Sequence, residues 1–362
     1  MNNSPLSDRH LQLNAKMADF GGWLMPIEYA QSGVIAEYTS VRERVGLFDV
    51  SHLGKISIKG EGALAFLNQM VTNDLTRIEA GQAQYNLLCN ENGGVVDDLI
   101  VYKYSDSDLF LIPNAANTTA VFQMLKASAP STLTLVNQHK DYAVLALQGP
   151  DSVKALGLLG IESDLDYMAF KSAKIESSDV ILCRTGYTGE LGFEIIPTWS
   201  DAEKVWDKLV QIVDQLNGAI CGLGARDILR TEMGYPLHGH ELSLDISPVQ
   251  ASAGWAVGWS KPKFSGRDVL VKQKEGGTKL KLKAILANDR AIPRKDMKVK
   301  DLAGNEIGVV TSGTFSPILK KGIGLALIDS NVKKDDQLLI DIRGADAPFT
   351  VVPLPFVPSK VR

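Results

Sequence analysis

The chain has 362 residues, 45% of them hydrophobic and 22% charged, a composition that excludes a disordered, collagen-like or disulfide-framework protein. Its 38 Lys and Arg face 42 Asp and Glu for a net charge of −4, so no surplus of positive charge points to nucleic acid. The length exceeds what one hydrophobic core usually serves, which predicts two or three domains.

In chain order, the start MNNSPLSDRH has neither the basic beginning nor the apolar centre of a signal peptide, and no later apolar run approaches the ~20 residues of a membrane span. With three scattered cysteines, Cys89, Cys183 and Cys221, this leads us to expect a cytoplasmic protein with no membrane partner. Strands are predicted at 55–58, 95–102, 109–112, 143–147 and 192–196, each bordered by Gly, Asn, Asp or Pro. Between the first two, Leu64, Leu67, Met70 and Val71 recur at helical spacing until Asn73-Asp74. Gln148-Gly149-Pro150 breaks a strand and marks a seam. Ser200 and Glu203 read as a capping box for a helix whose stripe is Val205, Leu209, Ile212, Val213 and Leu216, ended by Asn217-Gly218.

A second seam follows Trp259. Residues 261–300 carry 13 Lys or Arg against 4 Asp or Glu, which reads either as a solvated face or as a docking surface for an acidic partner. Short strands at 306–311, 322–328, 338–342 and 349–352 then predict a small all-β unit. The mixture of patterns, with no internal repeat, argues an α+β fold.

Two stretches carry chemistry. After the turn Asn92-Gly93-Gly94, an apolar strand contains adjacent carboxylates, Asp97 and Asp98. Strand geometry sends them to opposite faces, so one of them enters a packed or ligand-lined interior, where a carboxylate needs a partner or a task; the bland alternative is an edge strand whose aspartates cap a turn or meet an Arg. The second stretch runs from Arg184 to Ile195 and includes Gly186, Gly189 and Gly192, with Tyr187, Glu190 and Glu194 offering one aromatic plane and two acceptors. That set suits a flat heterocycle with N–H donors, and Glu190 reads as the exposed turn of a hairpin. The turn 221–224 enters a helix at Arg226-Asp227, which reads as an ion pair. It lacks the third glycine of a dinucleotide fingerprint, and no phosphate-binding loop occurs, so neither NAD, flavin nor ATP is expected. His238 and His240 are two residues apart, which fits no helical metal face, and no metal is expected.

Together these segments resemble the glycine cleavage T-protein family of folate-dependent aminomethyltransferases, nearly end to end. The resemblance rests on Asp19-Phe20-Gly21-Gly22-Trp23, Val50-Ser51-His52, Thr72-Asn73-Asp74, Gly81-Gln82-Ala83-Gln84-Tyr85, Gly93 to Asp98, Asn114-Ala115-Ala116-Asn117, Leu147 to Pro150, Gly186 to Glu190, Gly222 to Asp227 and Thr311 to Pro317, in order and at family spacing. It implies a three-domain cloverleaf around a central folate channel: residues 1–54 and 148–260 form a discontinuous first domain, 55–147 a second, and 275–362 a C-terminal β domain with a barrel-like form.

It also implies a reaction. An aminomethyl group arrives on the lipoyl arm of the H-protein, tetrahydrofolate takes the one-carbon unit, and ammonia and the dihydrolipoyl arm are released, in concert with the other glycine cleavage components. By resemblance Asp98 is the catalytic carboxylate, either raising the nucleophilicity of a folate nitrogen or stabilising an iminium; the cation expected beside it favours its charged form. Glu194 and Arg226 match folate contacts, the first toward pterin donors and the second toward an anionic portion. Tyr85, Asn114 and Tyr187 match the same pocket, and Arg290, Arg294 and Lys295 suit an acidic carrier or a polyglutamylated folate. Departures from the family pattern, Leu53 and the His238-Gly239-His240 run, are not expected to touch Asp98. Two rival readings use the same scaffold: a demethylase acting on a sulfonium substrate, and a non-enzymatic folate-binding accessory of iron–sulfur assembly.

Overall fold

The computed structural model describes residues 1–362. Four sheets organise them. A five-stranded antiparallel sheet is built wholly from residues 56–137, in the order Gln82–Cys89, Val95–Ser105, Asp108–Pro113, Ile56–Lys59 and Thr134–Asn137. The helices Ala63–Met70 and Thr118–Ser128 cover one of its faces, enclosing Ile56, Leu67, Leu99, Val101, Leu111 and Leu125. A six-stranded sheet takes its strands from both sides of that segment: Gly46–Asp49 and Leu145–Gln148 are neighbours, flanked by Gly192–Pro197 and by the parallel strand Ala219–Cys221. A three-stranded N-terminal sheet and the helix Gly33–Glu43, neither anticipated from periodicity, lie against it.

The C-terminal strands close into a six-stranded barrel, beginning at Leu280–Ala287 and ending at Ala345–Val352, around Ile285, Val310, Ile328, Ile340 and Phe349. Mixed α and β layers are therefore the architecture, as composition and pattern indicated, and the all-β end closes as a barrel. No helix is long and apolar enough to cross a membrane.

The helix Ala202–Gln215 buries Val205, Leu209, Ile212 and Val213 as its stripe requires, each contributing roughly 1.5–3 kcal/mol by leaving water. Its capping box does not form. A single 3-10 turn, Trp199–Asp201, precedes the helix, so Ser200 lies inside that turn and bonds Thr198 at 3.1 Å, while Glu203 lies 3.4 Å from Arg9. The turn at Asn90–Gly94 has the expected tight form, and Gly94 is required there because a Cβ would lie 1.7 Å from the Leu244 carbonyl.

One buried ionic cluster pins the N-terminus to the six-stranded sheet. His10 Nε2 donates to Asp49 at 2.8 Å, Ser4 donates to the same carboxylate, and Tyr29 meets His10 Nδ1 at 2.9 Å. Burial alone would raise the Asp49 carboxyl, but the His10 bond and charge, with Ser4 and Ser51, bring it down to about 2 from 3.8. A depressed carboxyl contributes stability that is present above its unfolded value and lost as pH falls through the folded one, here about 2 kcal/mol. Denaturant titrations between about pH 5 and pH 2 are expected to show that loss in the parent and a flatter profile in Asp49→Asn; identical slopes would remove Asp49 from acid sensitivity.

Candidate active site

The strand Val95–Ser105 pairs with Gln82–Cys89 so that Leu87 lies opposite Asp98 and Tyr85 opposite Ile100. Tyr85 is thus diagonal to Asp98 on the same face, and its hydroxyl donates to Asp98 Oδ2 at 3.0 Å. Asn114, where the neighbouring strand ends, donates through Nδ2 to Asp98 Oδ1 at 2.8 Å. Asp97 turns to the other face as alternation demands. It is fully buried and accepts from the Asn114 backbone at 2.9 Å and from Asn117 at 2.7 Å. Asp98 itself remains partly open. Trp255, 67% exposed, stacks on Tyr85 at 5.1 Å between centroids and forms an aromatic rim.

Burial raises the Asp98 carboxyl above the ordinary carboxylate range, against the opposing pull of the Tyr85 hydrogen bond, the His238 charge and Asn114. Asp97 is pushed well above its ordinary value by burial and then by repulsion from Asp98. The protein environment by itself raises the proton affinity of Asp98, because the carboxyl is desolvated. His238 does bear on Asp98, although its Nε2 lies 3.0 Å from the Val95 carbonyl.

The 184–195 segment faces this carboxylate. Gly186 and Gly192 let its two limbs close on Gln148, whose Nε2 donates to the carbonyls of Thr185 at 3.1 Å and Phe193 at 3.2 Å. Tyr187 feels the charge of Asp98, donates its hydroxyl to the Pro236 carbonyl, and carries the Arg226 guanidinium 4.8 Å above its ring centre. Glu194 is buried on the strand Gly192–Pro197 and accepts from the Thr185 hydroxyl. Glu190 is not an exposed turn. It is 3% exposed and bonds Arg42 at 2.9 Å, because the loop folds inward over the helix Gly33–Glu43.

Arg226 and Asp227 do not pair either. They are adjacent on the helix Leu223–Met233, and Asp227 instead meets Arg230 one turn on at 2.8 Å. That leaves Arg226 Nη1 buried without a partner, with the Glu194 carboxylate as the opposing charge that bears on it and the Tyr187 ring beneath it. His52 Nδ1 is a second buried orphan, and the charge of Arg226 reaches that ring. Such atoms are met by an ordered water or by a ligand. The thiols offer no nucleophile: all three are free and buried, and burial pushes Cys89 up to about 12.

Asp98, Tyr85, Asn114, Tyr187, Arg226 and Glu194 thus gather from two sheets and one helix. Sequence reasoning missed Asn117, Trp255 as a rim, and the chain end, where the Lys360 backbone donates to Gly189 at 2.7 Å and the Arg362 guanidinium lies 5.7 Å from the Tyr167 ring centre. Only Asn117 left a signal, as the last residue of the Asn114 motif.

The GCVT N-terminal domain family matches residues 6–261, and the glycine cleavage T-protein C-terminal barrel domain matches 281–358. The chain belongs to the glycine cleavage T-protein family. It is 54% identical over 359 residues to a protein of Parafrankia sp. (strain EAN1pec) named aminomethyltransferase, covering 99% of this chain and 98% of that one. Another aminomethyltransferase, from Mycolicibacterium paratuberculosis, is 52% identical over 361 residues, with 99% and 97% covered. The structure is similar to that of the glycine cleavage system aminomethyltransferase T from Bartonella henselae, at a TM-score of 0.93 and 31% identity over 99% of both chains. The family match and the barrel agree on the α+β, barrel-ended fold.

Proposed function

We propose that this chain is the tetrahydrofolate-dependent aminomethyltransferase of the glycine cleavage system, acting on the aminomethyl-lipoyl arm of the H-protein. The observation that carries it is the 54% identity to a protein of that name across 99% of the chain. In this reading the methylene carbon exchanges its bonds to sulfur and nitrogen for two bonds to folate nitrogens. The two protons leaving those nitrogens go to the departing thiolate and amine, giving the dihydrolipoyl arm and ammonia.

Asp98 is the catalytic carboxylate. Its raised affinity for a proton and its partly open position support proton acceptance from a folate nitrogen over simple charge stabilisation. Tyr85 and Asn114 hold its two oxygens, and any folate contacts they make are secondary to that. Glu194 presents a buried acceptor to the pterin N–H edge. Arg226, with one unpaired nitrogen and Tyr187 beneath it, takes an acceptor or anionic portion of the folate. The residues therefore fit the co-substrate. We assign the site to the junction of domain 55–147 with domain 1–54/148–260, and the barrel of 275–362 to its rim.

The carrier is an acidic partner for the 261–300 stretch. Arg290 stays exposed and uncommitted there, whereas Arg294 and Lys295 donate to the carbonyls of Gly313 and Gly239. Three free cysteines support a reducing compartment, and we assign the reaction to the cytoplasm.

A reconstituted glycine cleavage assay that omits only this chain tests the reading. Restoration of methylene-tetrahydrofolate formation on its addition supports it; restoration only with a sulfonium methyl donor, or folate binding without turnover, favours one of the rivals. Glu194→Ala is expected to weaken tetrahydrofolate binding by about 1–3 kcal/mol in calorimetric titration. An unaltered Kd would assign Glu194 to structure.

A further inference from the structure

Asp97 has no role in the reaction described so far, yet its arrangement is costly. It is fully buried on the face shared with Leu99 and Val101, where an ionisable carboxyl is expensive, and it cannot touch a ligand held by Asp98 on the opposite face. All its capacity goes to two neighbours. Asp97 Oδ2 accepts from the Asn114 backbone N–H at 2.9 Å; Oδ1 accepts from Asn114 Nδ2 at 2.9 Å and from Asn117 Nδ2 at 2.7 Å.

Asn114 Nδ2 carries two protons but lies near three acceptors: Asp97 Oδ1, Asp98 Oδ1 at 2.8 Å and the Asp98 carbonyl at 2.9 Å. One amide nitrogen therefore bridges both carboxylates, and Asp97 grips that amide from backbone and side chain together. A free Asn114 would rotate about its two torsions. Gripped, it aims one donor at Asp98 Oδ1 while Tyr85 holds Oδ2.

We propose that Asp97 is a positioning residue of the transfer reaction, acting through Asn114 to hold the Asp98 carboxylate at the angle the folate nitrogen requires. The proposal rests on the aminomethyltransferase reading above. The two carboxyls also meet electrostatically through the shared amide: the Asp98 charge raises Asp97, while Tyr85, His238 and Asn114 oppose the rise that burial imposes on Asp98. Tyr187, across the site, is the remaining titratable group near Asp98.

Asp97→Asn and Asn117→Ala in the full chain test it by two independent measurements. In turnover with aminomethylated lipoyl carrier, Asp97→Asn is expected to lower kcat at least about tenfold while KM for tetrahydrofolate changes less than about threefold. In carbon-13 NMR of aspartate-labelled protein without substrate, the Asp98 titration, identified by its loss in Asp98→Asn, is expected to move away from that of the parent as the Asn114 donor loses its grip. Asn117→Ala removes one donor to Asp97 and leaves both carboxylates. It is expected to lower kcat by a smaller factor at unchanged KM, so it decides the matter where Asp97→Asn does not fold. A purely structural Asp97 would lower the melting temperature yet leave kcat per folded molecule and the Asp98 titration unmoved, and that result overturns the proposal. If the parent enzyme itself transfers nothing from the carrier, the functional reading fails, and the NMR titration still decides whether Asp97 governs Asp98.

Discussion

Asp98→Asn is expected to lower turnover by about 10²–10⁴-fold, the range seen when a positioned acid–base group is lost, while tetrahydrofolate still binds. The amide matches the carboxylate in shape and keeps one acceptor for the Tyr85 hydroxyl, but it cannot take a proton. Its NH2 group meets the Asn114 donor head-on, a cost offset by removing the repulsion between two desolvated carboxylates. Net stability is therefore expected to change little, and calorimetric binding with single-turnover kinetics separates the two effects. The sign of the pH dependence follows from the raised carboxyl: turnover in the parent falls as pH falls through the Asp98 titration, which lies above the ordinary 3.8. Undiminished turnover in the variant, or an acid limb at the ordinary value, would remove Asp98 from the proton inventory.

The second large effect concerns Arg42, buried between two glutamates. Its Nη1 donates to Glu190 at 2.9 Å and to the Thr188 carbonyl at 3.0 Å, and its Nη2 to Glu232 at 2.5 Å. Glu232 also accepts from Tyr38 at 2.8 Å and, from the barrel, from Ser316 at 2.5 Å. One guanidinium thus joins the helix Gly33–Glu43, the Tyr187 loop and the helix Leu223–Met233, and reaches the barrel through Glu232. Arg42→Ala leaves two buried carboxylates without their cation and is expected to cost about 3–5 kcal/mol in urea denaturation. Because Thr188 and Glu190 hold the loop under Tyr187, folate affinity should fall with it. Arg42→Met combined with Glu190→Gln and Glu232→Gln removes the stranded charges and should recover most of the stability, though not the affinity. A loss below about 1 kcal/mol in the single variant would mean that water or Lys360, 3.5 Å from Glu190, compensates.

Local patterns in the chain were enough for the strands Val95–Ser105, Asp108–Pro113 and Gly192–Pro197, the helix stripe of Ala202–Gln215, the Asn90–Gly94 turn, and Asp97 and Asp98 on opposite faces, because each depends on neighbours a few residues apart and on the fixed periods of helix and strand. The residue types suited to folate were visible in the same way. Partner choice was not. Ser200 looked like a cap until a 3-10 turn placed it too early, Asp227 passed over Arg226 for Arg230, and Glu190 found Arg42, 148 positions away. A side chain's donors and acceptors are written in its identity, but which of them meet, and how far water is excluded when they do, depends on the packing of whole elements. For that reason the raised carboxyl of Asp98 and the orphaned nitrogen of Arg226 emerge only when the two sheets and the helix Leu223–Met233 come together, and the amide shared by two carboxylates only when Val95–Ser105 pairs with Asp108–Pro113.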